Sequence, residues 1–290
     1  MPRNDSGVIE PAELRVTTPF GELAALQWGD ADAPLLLALH GWLDNAASFA
    51  RLAPLLAAHR RVIALDLPGH GHSAHLAQGV HRYNNLDQVD PVLDFADALE
   101  FERFDLLGHS LGAGIASLTA AAAPTRIGKL ALIEGLGPLA DDGSQTLARW
   151  RDAHARRETS RRPPRVFASI DAAVSARVAA GGLDVEEARP IVERNLDEAE
   201  GGYRWRRDPR LRLATPLRIE EMQLRRVIAG IAAPTLLLLA EPATPYLPPA
   251  LMDARAACVA DIRVEHIAGP HHLHVRQSRE CAEHVVAFLG

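Results

Sequence analysis

The stretch Phe104-Asp105-Leu106-Leu107-Gly108-His109-Ser110-Leu111-Gly112-Ala113-Gly114 decides how the rest of this chain folds. Its first half is an apolar run of strand length, and the residues after it, 115–121, are rich in helix formers. Between them lies the Gly-x-Ser-x-Gly spacing of a nucleophile elbow. Glycine at 108 and 112 lets the chain pack tightly beside a strained serine. The pattern predicts a reactive Ser110, and the alternative is an ordinary glycine-rich strand–helix turn.

Apolar runs and helical patterns alternate on both sides of this stretch. Such alternation predicts an α/β fold with a mostly parallel, doubly wound sheet, in which functional residues follow the carboxyl ends of the strands. A β-hairpin is expected at 13–28. Further strands are expected at 35–40, 61–65, 129–133, 234–239 and 261–267, and helices at 46–58, 86–100, 249–259 and 278–289.

The segment 139–230 interrupts the alternation because it contains no strong strand pattern. It carries 18 arginines against 15 acidic residues, a net charge of +3, whereas the remainder has 13 basic and 22 acidic residues, a net charge of −9. At 290 residues the chain is near the upper limit for one hydrophobic core. We therefore predict an α/β core formed by 1–138 and 231–290, with 139–230 as a helical cap between the sixth and seventh strands. Arginine-rich runs at 156–165 and 204–212 favour either an anionic substrate or a solvated surface.

Composition sets bounds on partners and location. A net charge of −6 gives no reason to expect nucleic acid or an anionic membrane, and no apolar run approaches the ~20 residues of a membrane span. The first seven residues lack the apolar core of a signal peptide, and the two cysteines, Cys258 and Cys281, suggest no disulfide framework. We expect a cytoplasmic protein with a small-molecule substrate. A single lysine, Lys129, with abundant alanine suggests a GC-rich bacterial genome.

Four motifs occur in a fixed order along the chain. They are His40-Gly41 after the third strand, Asp66-x-x-Gly69-x-Gly71-x-Ser73 after the fourth, Gly108-His109-Ser110-Leu111-Gly112 at the elbow, and a late histidine near 271. With them the chain resembles the α/β-hydrolase superfamily over nearly its whole length. The string His40-Gly41-Trp42-Leu43-Asp44-Asn45-Ala46-x-Ser48-Phe49 is similar to the serine hydrolase-like and mesoderm-specific-transcript-like branch.

The resemblance implies acyl transfer by a serine, a histidine and an acid. Haloalkane dehalogenases and epoxide hydrolases carry a carboxylate at the elbow, whereas this chain has Ser110, whose hydroxyl needs an adjacent base. The family's late pattern Gly-His-x-x-His selects His271 as that base and His274 as a structural histidine, with His272 as the alternative base. Three histidines in four residues could also suggest a metal site, but no carboxylate stands at ligand spacing. We expect no metal and no cofactor.

The acid departs from the commonest family pattern. Most relatives place an aspartate after the strand corresponding to 234–239, where this chain has Pro242 and Ala243. The preceding strand ends at Glu134, a position at which some haloalkane dehalogenases and related luciferases carry the acid. Because only the reach of the carboxylate to the imidazole matters, we predict Glu134, with Glu241 as the alternative. Without function, Glu134 would be a strand-end carboxylate that caps the following turn.

The resemblance also implies an oxyanion hole and a pocket. The backbone amides of Trp42 and Leu111 should form the hole. Trp42, Leu136 and Leu139 are expected to line an apolar pocket under the cap, and His40 to support the loop of the hole. These residues predict a cofactor-independent serine hydrolase, and the preferred interpretation is a carboxylesterase for small to medium esters. Amides, lactones, thioesters and carbon–carbon bonds β to a ketone use the same apparatus. The alternatives from another class are a fold relative that binds a small molecule without turnover and a cap-mediated interaction protein.

Overall fold

The computed structural model describes residues 10–156, 165–213 and 215–290 of the chain. The strand patterns of the sequence all form strands, and three further short strands follow the sixth. In chain order the strands are β1 Ala12–Thr18, β2 Gly21–Trp28, β3 Leu35–Leu39, β4 Arg61–Leu65, β5 Phe104–His109, β6 Ile127–Ile133, β7 Val166–Phe167, β8 Leu196–Ala199, β9 Gly202–Trp205, β10 Thr235–Glu241 and β11 Ile262–Ala268.

The main sheet has eight strands in the order β1-β2-β4-β3-β5-β6-β10-β11. The predicted hairpin β1–β2 is antiparallel, and β2 pairs antiparallel with β4. The strands from β4 to β11 in this order are all parallel, so their carboxyl ends meet at one edge. Functional residues are expected at that edge of a doubly wound sheet.

Helices connect the strands and cover both faces of the sheet. In chain order they are α1 Ala53–Leu56, α2 Val89–Ala98, α3 Leu111–Ala122, α4 Thr146–Ala155, α5 Ile170–Ala179, α6 Val185–Arg194, α7 Glu221–Ile228, α8 Pro249–Ala256, α9 Leu273–Arg276 and α10 Ser278–Leu289. None of the helices in the described part of the chain is both long and apolar enough to cross a bilayer.

Strand β3 illustrates why the sheet is covered on both faces. All five of its residues are buried, and successive side chains point to opposite faces. Leu35, Leu37 and Leu39 pack in the cluster that also holds residues of α2, α3, α7 and α8. Leu36 and Ala38 pack in the cluster on the other face, with residues of α1 and α10. The continuous apolar run in the sequence is therefore a central parallel strand.

The predicted helix at 46–58 is only partly correct. The chain forms a 3₁₀ turn at Ala46–Phe49, capped by the Asn45 side chain, and then the single-turn helix α1. Pro54 lies at the start of α1, and proline has no amide hydrogen to donate to the preceding turn. One continuous helix through this position is therefore disfavoured.

The segment between β6 and β10 is mostly helical, as predicted, but it also contains short strands that the sequence did not predict. Besides α4 to α7 it contains a three-stranded sheet in the order β7-β9-β8. These strands have two to four residues, most of them half-buried, so they leave no apolar run in the sequence. The segment has its own apolar cluster around Phe167, Val174 and Ile191, whereas Leu224 and Ile228 of α7 pack in the main core. The division into core and cap at 139 and 230 stays a prediction.

Ion pairs and a hydrogen bond hold α6 against the sheet. Arg194 at the end of α6 is nearly buried and lies 2.8 Å from the Asp66 carboxylate and 2.6 Å from Glu13 of β1. The side chain of Asn45 also donates to the carbonyl oxygen of Ile191 at 2.7 Å. Since a buried ion pair is costly to separate, these contacts hold the inserted segment against the strand ends.

Candidate active site

Ser110 lies in the sharp turn between β5 and α3 that the sequence predicted. Its φ of 52° is in the left-handed region, which non-glycine residues rarely adopt. A Cβ on Gly108 would lie 2.5 Å from the carbonyl oxygen of Gly112, and a Cβ on Gly112 would lie 2.1 Å from that of Leu39. Only glycine fits at both flanking positions, so the motif reflects a steric requirement of the turn.

Three residues from three strand ends form one hydrogen-bonded chain. The Nε2 atom of His271 lies 2.9 Å from the Ser110 hydroxyl oxygen, and its Nδ1 atom lies 2.9 Å from a Glu134 oxygen. His272, the alternative base, instead faces Asp44, with 3.3 Å between Nε2 and the carboxylate. Glu241, the alternative acid, is exposed, and its side chain contacts none of the described residues by a hydrogen bond or ion pair.

Glu134 is buried, with 2% of its surface exposed, and directly follows β6. Its φ of 57° is also left-handed, and its carboxylate accepts the Ala240 amide at 2.6 Å and the Thr244 hydroxyl. Burial alone would raise the pKa of this carboxyl, but the hydrogen bonds from His271, Thr244 and Ala240 hold it below its ordinary value. The group is therefore ionised at neutral pH.

Sequence reasoning missed two residues of the loop after β10. Thr244 donates to Glu134, so the loop that carries the acid in most relatives supplies a donor to it here. The hydroxyl of Tyr246 lies 2.9 Å from Nε2 of His271. Burial, followed by the charge of Glu134, raises the pKa of Tyr246, which keeps the phenol protonated. The only signal in the sequence was the position of both residues just after the strand expected to bear the acid.

The amides expected to form the oxyanion hole are available as donors. Leu111 is the first residue of α3, where helix amides lack partners within the helix. Neither its amide nor that of Trp42 donates to a described residue. The loop that carries Trp42 is held by His40, which donates to the Gly41 carbonyl at 2.8 Å and accepts the Leu67 amide at 3.0 Å.

A cavity of about 1090 Å³ opens at Ser110. Trp42, Leu111 and Leu139 line it, as predicted for Trp42 and Leu139. Leu136 does not line the cavity, which corrects the prediction. The chain turns at Gly137, whose φ is 77°, and Leu136 is fully buried in the main core.

A second carboxylate–histidine pair lies beside the first. Asp44 is buried and accepts a hydrogen bond from Arg177 of α5 at 3.1 Å through Oδ1, whereas His272 faces its Oδ2. His274 is also buried, and neither of its ring nitrogens has a hydrogen-bond partner in the described part of the chain. Burial, followed by the charge of His272, lowers the pKa of His274 to about 3. His274 is therefore a buried, neutral imidazole, and the structural role that the family pattern implied stays a prediction.

The elbow, the hydrogen-bonded chain and the sheet order define an α/β-hydrolase with a serine at the nucleophile position. The family model described as the α/β hydrolase fold matches residues 34–166. A probable serine hydrolase of Drosophila melanogaster is 30% identical over 96% of this chain and 87% of its own length. A hypothetical protein of Pseudomonas aeruginosa PAO1 is 39% identical with a TM-score of 0.86, over 96% of this chain and 97% of that structure. An esterase of Mycobacterium tuberculosis is 25% identical with a TM-score of 0.72, over 96% of this chain and 91% of that structure.

The chain belongs to the α/β-hydrolase superfamily, and within it to the serine hydrolase-like branch. These relatives support hydrolase activity. They come from an insect and from bacteria, so the bacterial origin suggested by composition stays a prediction.

Of the two arginine-rich runs in the sequence, residues 157–164 of the first lie outside the described residues. Of the second run, at 204–212, Leu211 and Arg212 line the cavity.

Proposed function

We propose that the chain is a cofactor-independent serine hydrolase, a carboxylesterase that cleaves small to medium esters through an acyl-enzyme. The observation that supports this proposal is the hydrogen-bonded chain from Ser110 through His271 to Glu134, which opens on a cavity of about 1090 Å³. Apolar side chains such as Leu111 and Leu139 line much of that cavity and would accommodate an acyl chain.

In the proposed reaction the Ser110 oxygen attacks the ester carbonyl carbon while its proton passes to Nε2 of His271. The negative charge that develops on the carbonyl oxygen would be bound by the amides of Trp42 and Leu111. The carbon–oxygen bond to the alcohol then breaks, and the alcohol takes the proton from His271. A water molecule, activated by the same imidazole, attacks the acyl-enzyme and releases the acid and free Ser110.

Glu134 would orient His271 and stabilise it while it is charged. Its partners besides the imidazole are a hydroxyl and an amide, both neutral, so its negative charge is not cancelled by a neighbouring cation. A carboxylate in this state stabilises an imidazolium more strongly than one already paired with a guanidinium. This arrangement favours Glu134 over Glu241 as the acid.

Tyr246 would assist the departure of the alcohol. Its hydroxyl lies next to the nitrogen that returns the proton, and its raised pKa keeps it a hydrogen-bond donor. We assign it a hydrogen bond to the leaving-group oxygen as negative charge builds there, with no proton transferred from the phenol.

Hydrolysis of p-nitrophenyl esters from acetate to decanoate tests the proposal, with Ser110→Ala as the control. We expect release of p-nitrophenol that is lost in the variant, with a chain-length optimum set by the cavity. Stoichiometric labelling by a fluorophosphonate, absent in Ser110→Ala, would show an activated serine even if the ester series misses the preferred acyl group. A folded protein that neither cleaves any ester nor reacts with the probe would overturn the proposal in favour of a binding-only relative.

A further inference from the structure

The wall of the cavity is positively charged. Two arginines, Arg212 and Arg218, line it together with the nucleophile. The only carboxylate in the described lining is Glu134, and its oxygens are occupied by His271, Thr244 and a backbone amide. The charge available to a molecule in the cavity is therefore basic.

Arg212 differs from the other arginines of the run 204–212. It lines the cavity and makes no ion pair with a described residue. Arg204 on β9 is exposed, as Arg212 is, but it does not line the cavity. The remaining members are engaged elsewhere: Arg206 pairs with Asp197 at 2.7 Å, Arg210 pairs with Asp208 at 2.7 Å, and the guanidinium of Arg207 lies 4.5 Å from the centre of the Trp205 ring.

Arg218 is also only weakly neutralised. Its nearest carboxylate in the described part of the chain is Asp141, at 3.8 Å. That carboxylate is bound more closely by Arg149, at 2.6 Å. Two guanidinium groups thus share one acid, and Arg218 retains capacity for a second anion.

The loop that carries Arg212 is fixed in place. The Asp208 amide donates to the Gly69 carbonyl at 2.8 Å, and Arg210 donates to the carbonyls of Leu76 and Val80 at 2.6 Å each. The indole nitrogen of Trp42 donates to the carbonyl of Leu211 at 3.0 Å, directly before Arg212. The residue expected to supply an oxyanion-hole amide therefore also holds the loop that presents Arg212.

The positive charges of Arg212 and Arg177 act on a third arginine, Arg207. Burial, followed by repulsion from Arg212 and Arg177, lowers the pKa of Arg207 to about 10. Arg177 is neutralised by Asp44, whereas no described carboxylate lies within ion-pair distance of Arg207 or Arg212. A bound anion at Arg212 would relieve this repulsion, and a guanidinium matches a carboxylate or phosphate in two parallel hydrogen bonds.

We propose that Arg212, supported by Arg218, binds an anionic group of the substrate, so that the preferred substrate is an ester or thioester bearing a carboxylate or phosphate away from the bond that is cleaved. This inference rests on the proposed hydrolase function. Arg212 is then a specificity-determining residue, and it takes no part in bond breaking.

The test compares matched substrates that differ by one charge. Mono-p-nitrophenyl esters of succinate, glutarate and adipate are paired with p-nitrophenyl butyrate, pentanoate and hexanoate, so that a carboxylate replaces the terminal methyl group. A second arm compares butyryl-coenzyme A with the butyryl thioester of N-acetylcysteamine, which lacks the phosphates. We expect the anionic member of at least one pair to have a kcat/KM about 10-fold or more above its neutral partner, the gain typical of a charged hydrogen bond.

Arg212→Gln should reduce that ratio to about 1, and Arg204→Gln, the same substitution outside the cavity, should leave it unchanged. The arm that shows the preference distinguishes a carboxylate on the acyl group from a phosphate on the leaving group. Turnover of neutral esters with no preference in either arm would overturn the role of Arg212 while leaving the hydrolase proposal intact. An equal loss of the ratio in both variants would also overturn it. Absence of all turnover above Ser110→Ala would instead count against the proposed function itself.

Discussion

Two neighbouring histidines each face a buried carboxylate, and their surroundings differ. His271 binds Glu134, whose other donors are the Thr244 hydroxyl and a backbone amide. His272 faces Asp44, whose other donor is the Arg177 guanidinium. The first pair is therefore a net negative carboxylate beside an imidazole, whereas the second already contains its own compensating cation.

This difference distinguishes a carboxylate–histidine pair suited to catalysis from a pair suited to holding two parts of the chain together. A carboxylate with only neutral donors can stabilise a proton that arrives on its histidine, and His271 has the Ser110 hydroxyl on its other nitrogen. Asp44 instead links the loop after β3 to α5 through Arg177. We therefore infer that the first pair acts in turnover and that the second holds the inserted segment in place.

The strongest test of this comparison is Glu134→Gln. We expect the turnover number for p-nitrophenyl esters to fall by about 10⁴-fold, because the amide would favour the wrong imidazole tautomer. Urea unfolding should show that the variant is still folded, which separates catalysis from stability. Glu241→Gln is the matched control and should retain activity. A large loss in that control, with near-normal turnover in Glu134→Gln, would reverse the assignment of the acid.

Asp44→Asn should show the opposite profile. The substitution leaves Arg177 partly buried without its carboxylate, and loss of one partner of such a pair typically costs about 3 kcal/mol of unfolding free energy. Asp171→Asn, which lies on α5 like Arg177, removes an exposed partner of Arg189 in α6 and should change the unfolding free energy very little. If the folded Asp44→Asn protein lost turnover as Glu134→Gln does, the second pair would belong to the catalytic site.

The buried neutral histidine behind these pairs should make stability depend on pH. An unfolded histidine binds a proton below ~6.5, whereas the pKa of His274 in the folded protein is about 3. Its contribution is therefore present above pH 6.5 and is lost as the pH falls. Between pH 7 and pH 5 the loss should be about 2 kcal/mol.

Urea unfolding of His274→Leu at both pH values measures this contribution. The variant should lose less stability on acidification than the original protein by that amount. His59→Gln, at an exposed position, should leave the difference unchanged. An identical pH dependence in His274→Leu and the original protein would show that His274 is not the group responsible.

The smallest effect is expected for Tyr246→Phe, and it should depend on the leaving group. A hydrogen bond to the departing oxygen matters most for alkoxides, so the turnover number for ethyl esters should fall about 10-fold, and that for p-nitrophenyl esters much less. An equal effect on both ester types would indicate that Tyr246 only positions His271.

Much of this architecture could be predicted because it follows from local rules. The alternation of apolar runs with helical patterns predicted the parallel sheet, and the spacing around Ser110 predicted the elbow, since both reflect backbone geometry within a few residues. Ser110 could be selected from the elbow spacing, whereas His271 and Glu134 were selected from the resemblance to the α/β-hydrolase family. All three follow predicted strands, whose carboxyl ends meet at one edge of a parallel sheet.

The parts that could not be predicted depend on contacts between distant residues. Tyr246 and Thr244 reach the site through the path of an irregular loop, which has no periodicity in the sequence. Asp44 and His272 are far apart in the chain, and nothing local indicates that they meet. Leu136 was misplaced because the direction of its side chain depends on the turn at Gly137.

Ser110, Glu134 and His271 follow different strands, so the ribosome synthesises them at different times. Ser110 and His271 are 161 residues apart, so the serine emerges on the order of 10 s before the histidine that contacts it. Thr244, which donates to Glu134, is 110 residues further along the chain and is therefore also synthesised later. Under the proposed mechanism, a nascent polypeptide would carry no activated Ser110, and that serine would not be acylated before the C-terminal strands are in place.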